Sequence, residues 1–414
     1  MAQTYKFGKD GTWATKKGST LAYSDTNNAF KPLPFNFTRN SIATRVNKEG
    51  LIEVVGNDIP RIDYTDSADG VLLLEPSRSN IALESNQFNE SEWSKTNTSV
   101  SANETGVGGS TNAWLLSKSS SDALIRQFIT TTGANTFSVY VKKGTLSWVK
   151  LFIASSTESS SVYVNLNNGS TGTSSGTPTV KVVPMDNGWY RCIITKDTTN
   201  INNFRIYPAD ADNDTSGTSG NIYIQYAQVE VGNVASSYIP TNGSIIQRAA
   251  ETCNDSGNSE VFNNVEGTIF INANFVSNSG VQVLCSVHDF ATNKRLEIWA
   301  NSNLINGFIG GSSSITVGSS NLINGSHKIA LNYKSGNSSF YVDGFLIGSS
   351  STTFTIAELT KMTLGYFIAT QYKSESPTKE IGYYDEILTD EELEYMTSYR
   401  SLNEMVTELN LNAL

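Results

Sequence analysis

Between Trp93 and Gly243 the sequence is written as short apolar runs, at 113–116, 124–129, 136–142, 148–153, 161–166, 179–183, 189–195, 204–207 and from Ile222 onward, separated by polar, turn-forming residues. In the third run Phe137, Val139 and Val141 alternate with Ser138, Tyr140 and Lys142, a repeat of two, the period of a strand with one buried face. Nine such runs, with turns at intervals of roughly 8 to 15 residues, describe an antiparallel β-sandwich of jelly-roll type. The last run carries a further detail. Ile222, Ile224 and Tyr226 share one parity and Ala227, Val229 and Val231 the other, so the inward face changes phase near Tyr226, as a β-bulge would produce. Gly232 and Asn233 then stop the strand, and Tyr238-Ile239-Pro240 leaves it extended.

The composition agrees with many short strands. The chain has 414 residues, of which only 16% are charged and 32 are glycine, which gives room for two or three domains and argues against a helical bundle. A net charge of -10 offers no basic face to a phosphate backbone, so nucleic acid is not an expected partner. Cys192, Cys253 and Cys285 stand far apart and read as small buried hydrophobes. The N-terminal wording has no apolar signal core and no run approaches the ~18 residues of a helical membrane span, so neither export nor membrane insertion is expected.

The remaining segments set the expected domain plan. Residues 1–35 contain Pro32 and Pro34 and no sustained period, and read as an extended arm. Residues 36–92 read as a packing region that opens with a hairpin, its turn at Asn47-Lys48-Glu49-Gly50. A sandwich over 93–242, a polar linker over 243–262, a second sandwich over 263–388 and a helix over 389–414 complete the plan. Within the second sandwich, His327 to Tyr333 alternates, Ser335 to Ser339 turns, and Phe340 to Phe345 returns with an Asp343-Gly344 turn of its own. Thr389 and Glu392 form a capping box, with Leu388 and Leu393 placed as a staple. Tyr395, Tyr399, Leu402, Val406 and Leu409 then follow at heptad spacing, which suits packing on the parent sandwich or a short trimeric bundle. The expected fold is therefore all-β: two antiparallel sandwiches in tandem, an extended N-terminal arm and a short C-terminal helix.

Several stretches also carry a resemblance. "F-T-R-x-S-x-A-T-R-V-N-x-x-G-L-I-E", "P-R-x-D-Y" and "L-L-L-E-P-x-R-x-N" followed by "W-S-K" look like the N-terminal region of bacteriophage tail-fibre-type proteins. "Y-I-x-x-A-Q-x-E-x-G", "S-Y-I-P-T" and "R-A-A-E" resemble the end of the carbohydrate-binding-module-like sandwich in phage tail and head fibres. Gly188-Trp189-Tyr190-Arg191-Cys192 is similar to an inner strand of such modules. "H-K-I-A-L-x-Y" through "Y-V-D-G", with "L-G-Y" and "I-G-Y-Y-D-E-I-L-T-D-E-E-L", look like a concanavalin-A-like or laminin-G-like domain. The resemblance implies a non-enzymatic virion protein of a tailed bacteriophage, a head or tail fibre on the virion surface. It further implies a homotrimer docked to capsid or tail proteins through its N-terminal region and facing host glycans. A polysaccharide depolymerase or glycosidase, and a bacterial surface adhesin, are the alternatives.

Few residues offer chemistry. His288 and His327 are the only histidines, and neither accompanies a nucleophile-elbow sequence. Cys and His never cluster at zinc spacing. Asp210, Asp212 and Asp214 alternate at a turn and could converge on a calcium ion, although Thr215 and Asn221 exclude an EF-hand. Otherwise no cofactor is expected. Glu158, Asp186, Glu230, Glu297 and Asp343 lie on or near strands but in no catalytic motif. Trp148, Tyr207 and Trp299 are candidate stacking platforms for a sugar, and Trp189 is a core residue. Arg39, Arg45, Arg61 and Arg78 read as ties between polar loops and carboxylates such as Asp63 and Glu75.

Overall fold

A computed structural model describes residues 4–25, 29–65, 67–276, 280–289, 294–356, 358–365, 374, 376–409 and 411. The protein is all-β, 55% strand and 6% helix. It divides into two compact units, one built from Met1–Ile42, Val55–Pro76 and Ala249–Leu414, the other from Ala43–Val54 and Ser77–Arg248. The chain of the second unit thus interrupts that of the first, where a simple tandem order was expected. Tyr366, the last residue of the "L-G-Y" motif, lies outside the described residues.

In the second unit the register explains how ten strands enclose one core. Two strands are far longer than the runs suggested: Leu124–Lys143 joins the runs at 124–129 and 136–142, and Trp189–Ala209 joins those at 189–195 and 204–207. Their polar middles pair with each other, Gly133 with Thr198 and Ala134 with Asp197, with register shifts beside Thr131. Alternation of apolar residues cannot reveal a strand whose middle is wet on both faces. The first half of Leu124–Lys143 and the second half of Trp189–Ala209 form one layer with Trp148–Ser155 and Ser160–Asn165. The other halves form the opposite layer with Gly220–Val231 and Ala113–Lys118. Val149, Leu151, Ile153, Val162 and Val164 from the first layer meet Val139, Val141, Cys192 and Ile224 from the second in one buried cluster.

The expected bulge is present. Ser138 pairs with Gln228 and Tyr140 with Gln225, so two residues face one, and Tyr226 has φ 51°. The displaced backbone is satisfied locally, since Tyr226 N–H donates to Asn86 Oδ1 at 3.1 Å and Ala227 N–H to the Ser85 carbonyl at 2.8 Å. The hairpin of Ala43–Val46 and Ile52–Val55 also forms where read, closed by Asn47, whose Oδ1 accepts from Glu49 and Leu51 N–H.

The first unit corrects the arm and the linker. Tyr5–Phe7 pairs with Thr378–Tyr384, and Lys31–Thr38 pairs with Ser19–Ser24 and Thr252–Ser256. Tyr5, Phe7, Phe35 and Phe37 are core residues. Pro32 and Pro34 disguised a strand: only one neighbour flanks them, because pairing with Thr252–Ser256 begins at Asn36, so their missing N–H groups cost the ladder little. Thr252–Ser256, and Ile246–Arg248 in the second unit, are strands inside the expected linker.

The hairpin of the first unit pairs Ile329 with Val342 and Leu331 with Phe340, and the Asp343-Gly344 turn that follows, between Val342 and its partner Phe345, has φ 51° and 86°, as a type I′ turn demands. The capping box at Thr389 is made in both directions. The heptad helix is not continuous: helix Asp390–Thr397 ends at an extended Ser398, and Leu402–Glu408 starts anew from Ser401, whose side chain accepts from Glu404 N–H. Serines at both positions offer the backbone caps in place of helix continuation. Tyr395 and Leu402 are exposed, Tyr399 donates to the Ser326 carbonyl and to Asp343, and Val406 and Leu409 are half-buried.

The arginines do tie carboxylates. Arg39 and Arg61 both bond Glu251, all three fully buried, and Arg61 also reaches Glu75 at 2.6 Å. Burial alone pulls Arg61 toward its neutral form, but Glu251 and Glu75 more than offset it and hold its pKa above the ordinary value. Arg45 pairs with Glu53 at 2.5 Å.

Candidate functional site

In the second unit, the layer that contains Trp148–Ser155 turns Val149, Leu151 and Ile153 to the core, so Trp148, Lys150 and Phe152 point outward. The register places their neighbours. Lys150 stands between Tyr163 and Tyr207, Phe152 between Ser161 and Arg205, and Arg205 is flanked on its other side by Arg126. Phe128, one step along from Arg126, is 62% exposed.

On this face every cation lies over a ring. The Lys150 ammonium is 5.0 Å from the Tyr163 centroid, 5.3 Å from Tyr207 and 5.7 Å from Phe152. Arg205 lies 4.8 Å over Phe152 and Arg126 4.7 Å over Phe128. Phe152 and Tyr207 meet edge to face at 6.4 Å. Arg205 is steadied further, Nε donating to Asn203 Oδ1 at 2.5 Å and Nη1 to the Tyr207 hydroxyl at 3.1 Å. Burial lowers the pKa of Lys150, Arg205 adds to that, and Asp122 opposes it. Burial raises Tyr163, with Asp214, Tyr207, Asp212 and Asp122 adding to it.

Two of the three expected platforms, Trp148 and Tyr207, therefore share a face, but neither is a bare ring. Tyr207 is only 8% exposed beneath Lys150. Trp148 is half-buried at the end of its strand, where glycine at position 172 is needed because a Cβ there would lie 2.7 Å from the indole. Trp299 belongs to the other unit, paired with Val283 and Asn306. The rings that do reach outward, Phe128 and Phe152, and the cations Arg126, Lys150 and Arg205 escaped the sequence reading. The signal for part of them was there: the parity that buries Val149 and Leu151 turns Lys150 and Phe152 out.

The aspartates do not converge. Asp210 pairs with Lys118 at 2.6 Å and accepts from Gly217 N–H, Asp212 accepts from Thr173 N–H at 2.7 Å, and Asp214 accepts from Ser216 N–H at 2.8 Å. Among the described residues no three His, Cys, Asp or Glu side chains are grouped to hold a metal ion. Of the other carboxylates, Glu158 bonds Lys196, Glu230 bonds Ser236, Asp343 bonds His327, and Glu297 pairs with Arg295 through one oxygen while its buried Oε1 has no hydrogen-bond partner among the described residues. His327 also meets the Ile323 carbonyl at 2.8 Å. His288 bonds Thr363 Oγ1 at 3.0 Å, whereas the buried Oγ of Ser286, two residues away on the same strand, has no hydrogen-bond partner and so is not coupled to that imidazole.

No family model matches the sequence, and no curated protein matches it. Among solved structures, the carbohydrate-binding module CBM40 of the Ruminococcus gnavus IT-sialidase, bound to alpha2,3 sialyllactose, is 16% identical at a TM-score of 0.30, covering 35% of this chain and 94% of that one. A leech intramolecular trans-sialidase is 19% identical at 0.31, over 36% and 26%. Domains LG4-5 of the mouse laminin alpha1 chain are 9% identical at 0.23, over 75% and 88%. Likenesses this slight carry no functional argument.

Proposed function

We propose that this chain is a non-enzymatic fibre subunit of a tailed bacteriophage virion, assembled as a homotrimer, that holds host surface glycans. The ring-lined outward face of the second unit carries the glycan part of this reading. Phe128, 62% exposed, presents the most aromatic carbon to solvent, with the half-buried Phe152 between Arg205 and Lys150 as a second, more covered ring, and sugars pack their C–H faces on exposed aromatic carbon. The fibre part is supported by the tail-fibre-type wording around Arg39 to Glu53 and Leu72 to Asn80. Binding without bond cleavage is favoured because both histidines and the carboxylates Glu158, Glu230 and Asp343 are engaged by structural partners.

A glycan microarray probed with the full chain tests the binding, with antibody labelling of purified virions to place the chain on the particle. The expected result is retention of a defined set of glycans that Phe128→Ala and Phe152→Ala each weaken by about tenfold, in line with an aromatic contact contributing on the order of 1 kcal/mol. Retention of nothing, or retention that both variants leave unchanged, contradicts the reading.

A further inference from the structure

The outward face carries three positive charges, none of them bonded to a carboxylate, although Asp122 acts on Lys150, and Asp122, Asp212 and Asp214 on the neighbouring Tyr163, without pairing. Elsewhere in the same unit the buried lysines are paired, Lys118 with Asp210 at 2.6 Å and Lys196 with Glu158 at 2.9 Å. Among the described residues, Arg126, Lys150 and Arg205 make no ion pair. The Lys150 ammonium makes no side-chain hydrogen bond either, and is held by three ring faces. Arg126 Nε is buried without a partner, and Arg205 spends Nε and Nη1 on Asn203 and Tyr207, leaving Nη2.

Such an arrangement is costly in isolation. The cations repel one another, and the rings supply less than a carboxylate would. What the rings do supply is position: a guanidinium stacked on an aromatic face keeps its N–H edge open, the edge that meets an oxyanion through paired hydrogen bonds. The cluster is local, because the chain as a whole carries -10, so it is not a share of a general positive field. That same net charge disfavours a long polyphosphate.

We infer that the glycan held on this face is acidic, its carboxylate or sulfate groups meeting Arg126, Lys150 and Arg205 while its rings lie on Phe128 and Phe152. This rests on the glycan reading above and narrows it to a substrate class.

Calorimetric titration of the full chain with uncharged dextran, carboxymethyl-dextran and dextran sulfate tests it. Carboxymethyl-dextran or dextran sulfate should bind, the better of the two naming the acidic group, and uncharged dextran should not. Binding should fall steeply between low and high salt, since exposed charge interactions are screened. Arg126→Gln and Arg205→Gln should each weaken it by about tenfold, the loss of one charge-assisted contact. Lys150→Gln provides a third variant should either arginine change alter the melting temperature. Equal binding of all three dextrans overturns the inference while leaving the glycan reading in place, as does array retention confined to neutral glycans. Silence in both the titration and the array removes both. Acidic dextran binding unmoved by the folded variants, or displaced by a single-stranded oligonucleotide at lower concentration, also overturns it.

Discussion

Lys150 shows what a single residue's surroundings can say that its sequence neighbours cannot. Its parity was readable from Val149 and Leu151, but Tyr163 and Tyr207 reach it from two other strands, and only the register brings them there. The same limit applies to His288. It is 2% exposed, and burial lowers its pKa from the ordinary 6.5 to about 4, with Lys361 and Arg295 assisting and Asp255 and Asp289 opposing. A base with a depressed folded pKa is folded neutral, so its contribution is intact above 6.5 and is lost as the pH falls toward 4. The shift corresponds to about 3 kcal/mol. Urea unfolding of the wild type and His288→Gln at pH 7 and pH 4 should show the wild type losing about that much more on acidification; equal losses contradict the assignment.

At the level of elements, local chemistry was legible where one short segment determines it. The Asp343-Gly344 turn, the phase change at Tyr226 and the Thr389 capping box all depend on residues within a few positions of each other, and all form as read. The arm failed because Pro32 and Pro34 read as breakers while pairing on a single side makes them harmless. The long strands failed because their wet middles are held by one another. The heptad failed because spacing ignores Ser398 and Ser401. The hairpin turn makes a quantitative expectation. Gly344 has φ 86°, and a Cβ there would sit 2.5 Å from Ser398 Oγ, so Gly344→Ala should cost about 1–2 kcal/mol, chiefly from the left-handed backbone. Denaturation midpoints check it, and an unchanged midpoint contradicts the turn assignment.

For the molecule as a whole, two β units with separate cores combine strands that alternate a dry face with a wetter one, such as Lys31–Thr38 and Trp148–Ser155, with strands buried on both faces, such as Val281–His288 and Ser338–Val342. The first unit adds a fully buried Arg39–Glu251–Arg61 cluster, where removing the shared carboxylate would take that partner from two buried charges and leave Arg61 with Glu75. The second unit adds the outward face on which the functional account stands. That face combines rings and cations from four strands, so it was visible in the sequence only as the separate letters Trp148 and Tyr207. The most direct test is a crystal structure of the full chain soaked with oligosaccharides prepared from the acidic dextran that binds best. The account predicts sugar density lying across Phe128 and Phe152, with acidic groups within hydrogen-bonding distance of Arg126, Lys150 or Arg205. Ordered sugar beside Trp299 or elsewhere in the first unit, with that face bare, would contradict it.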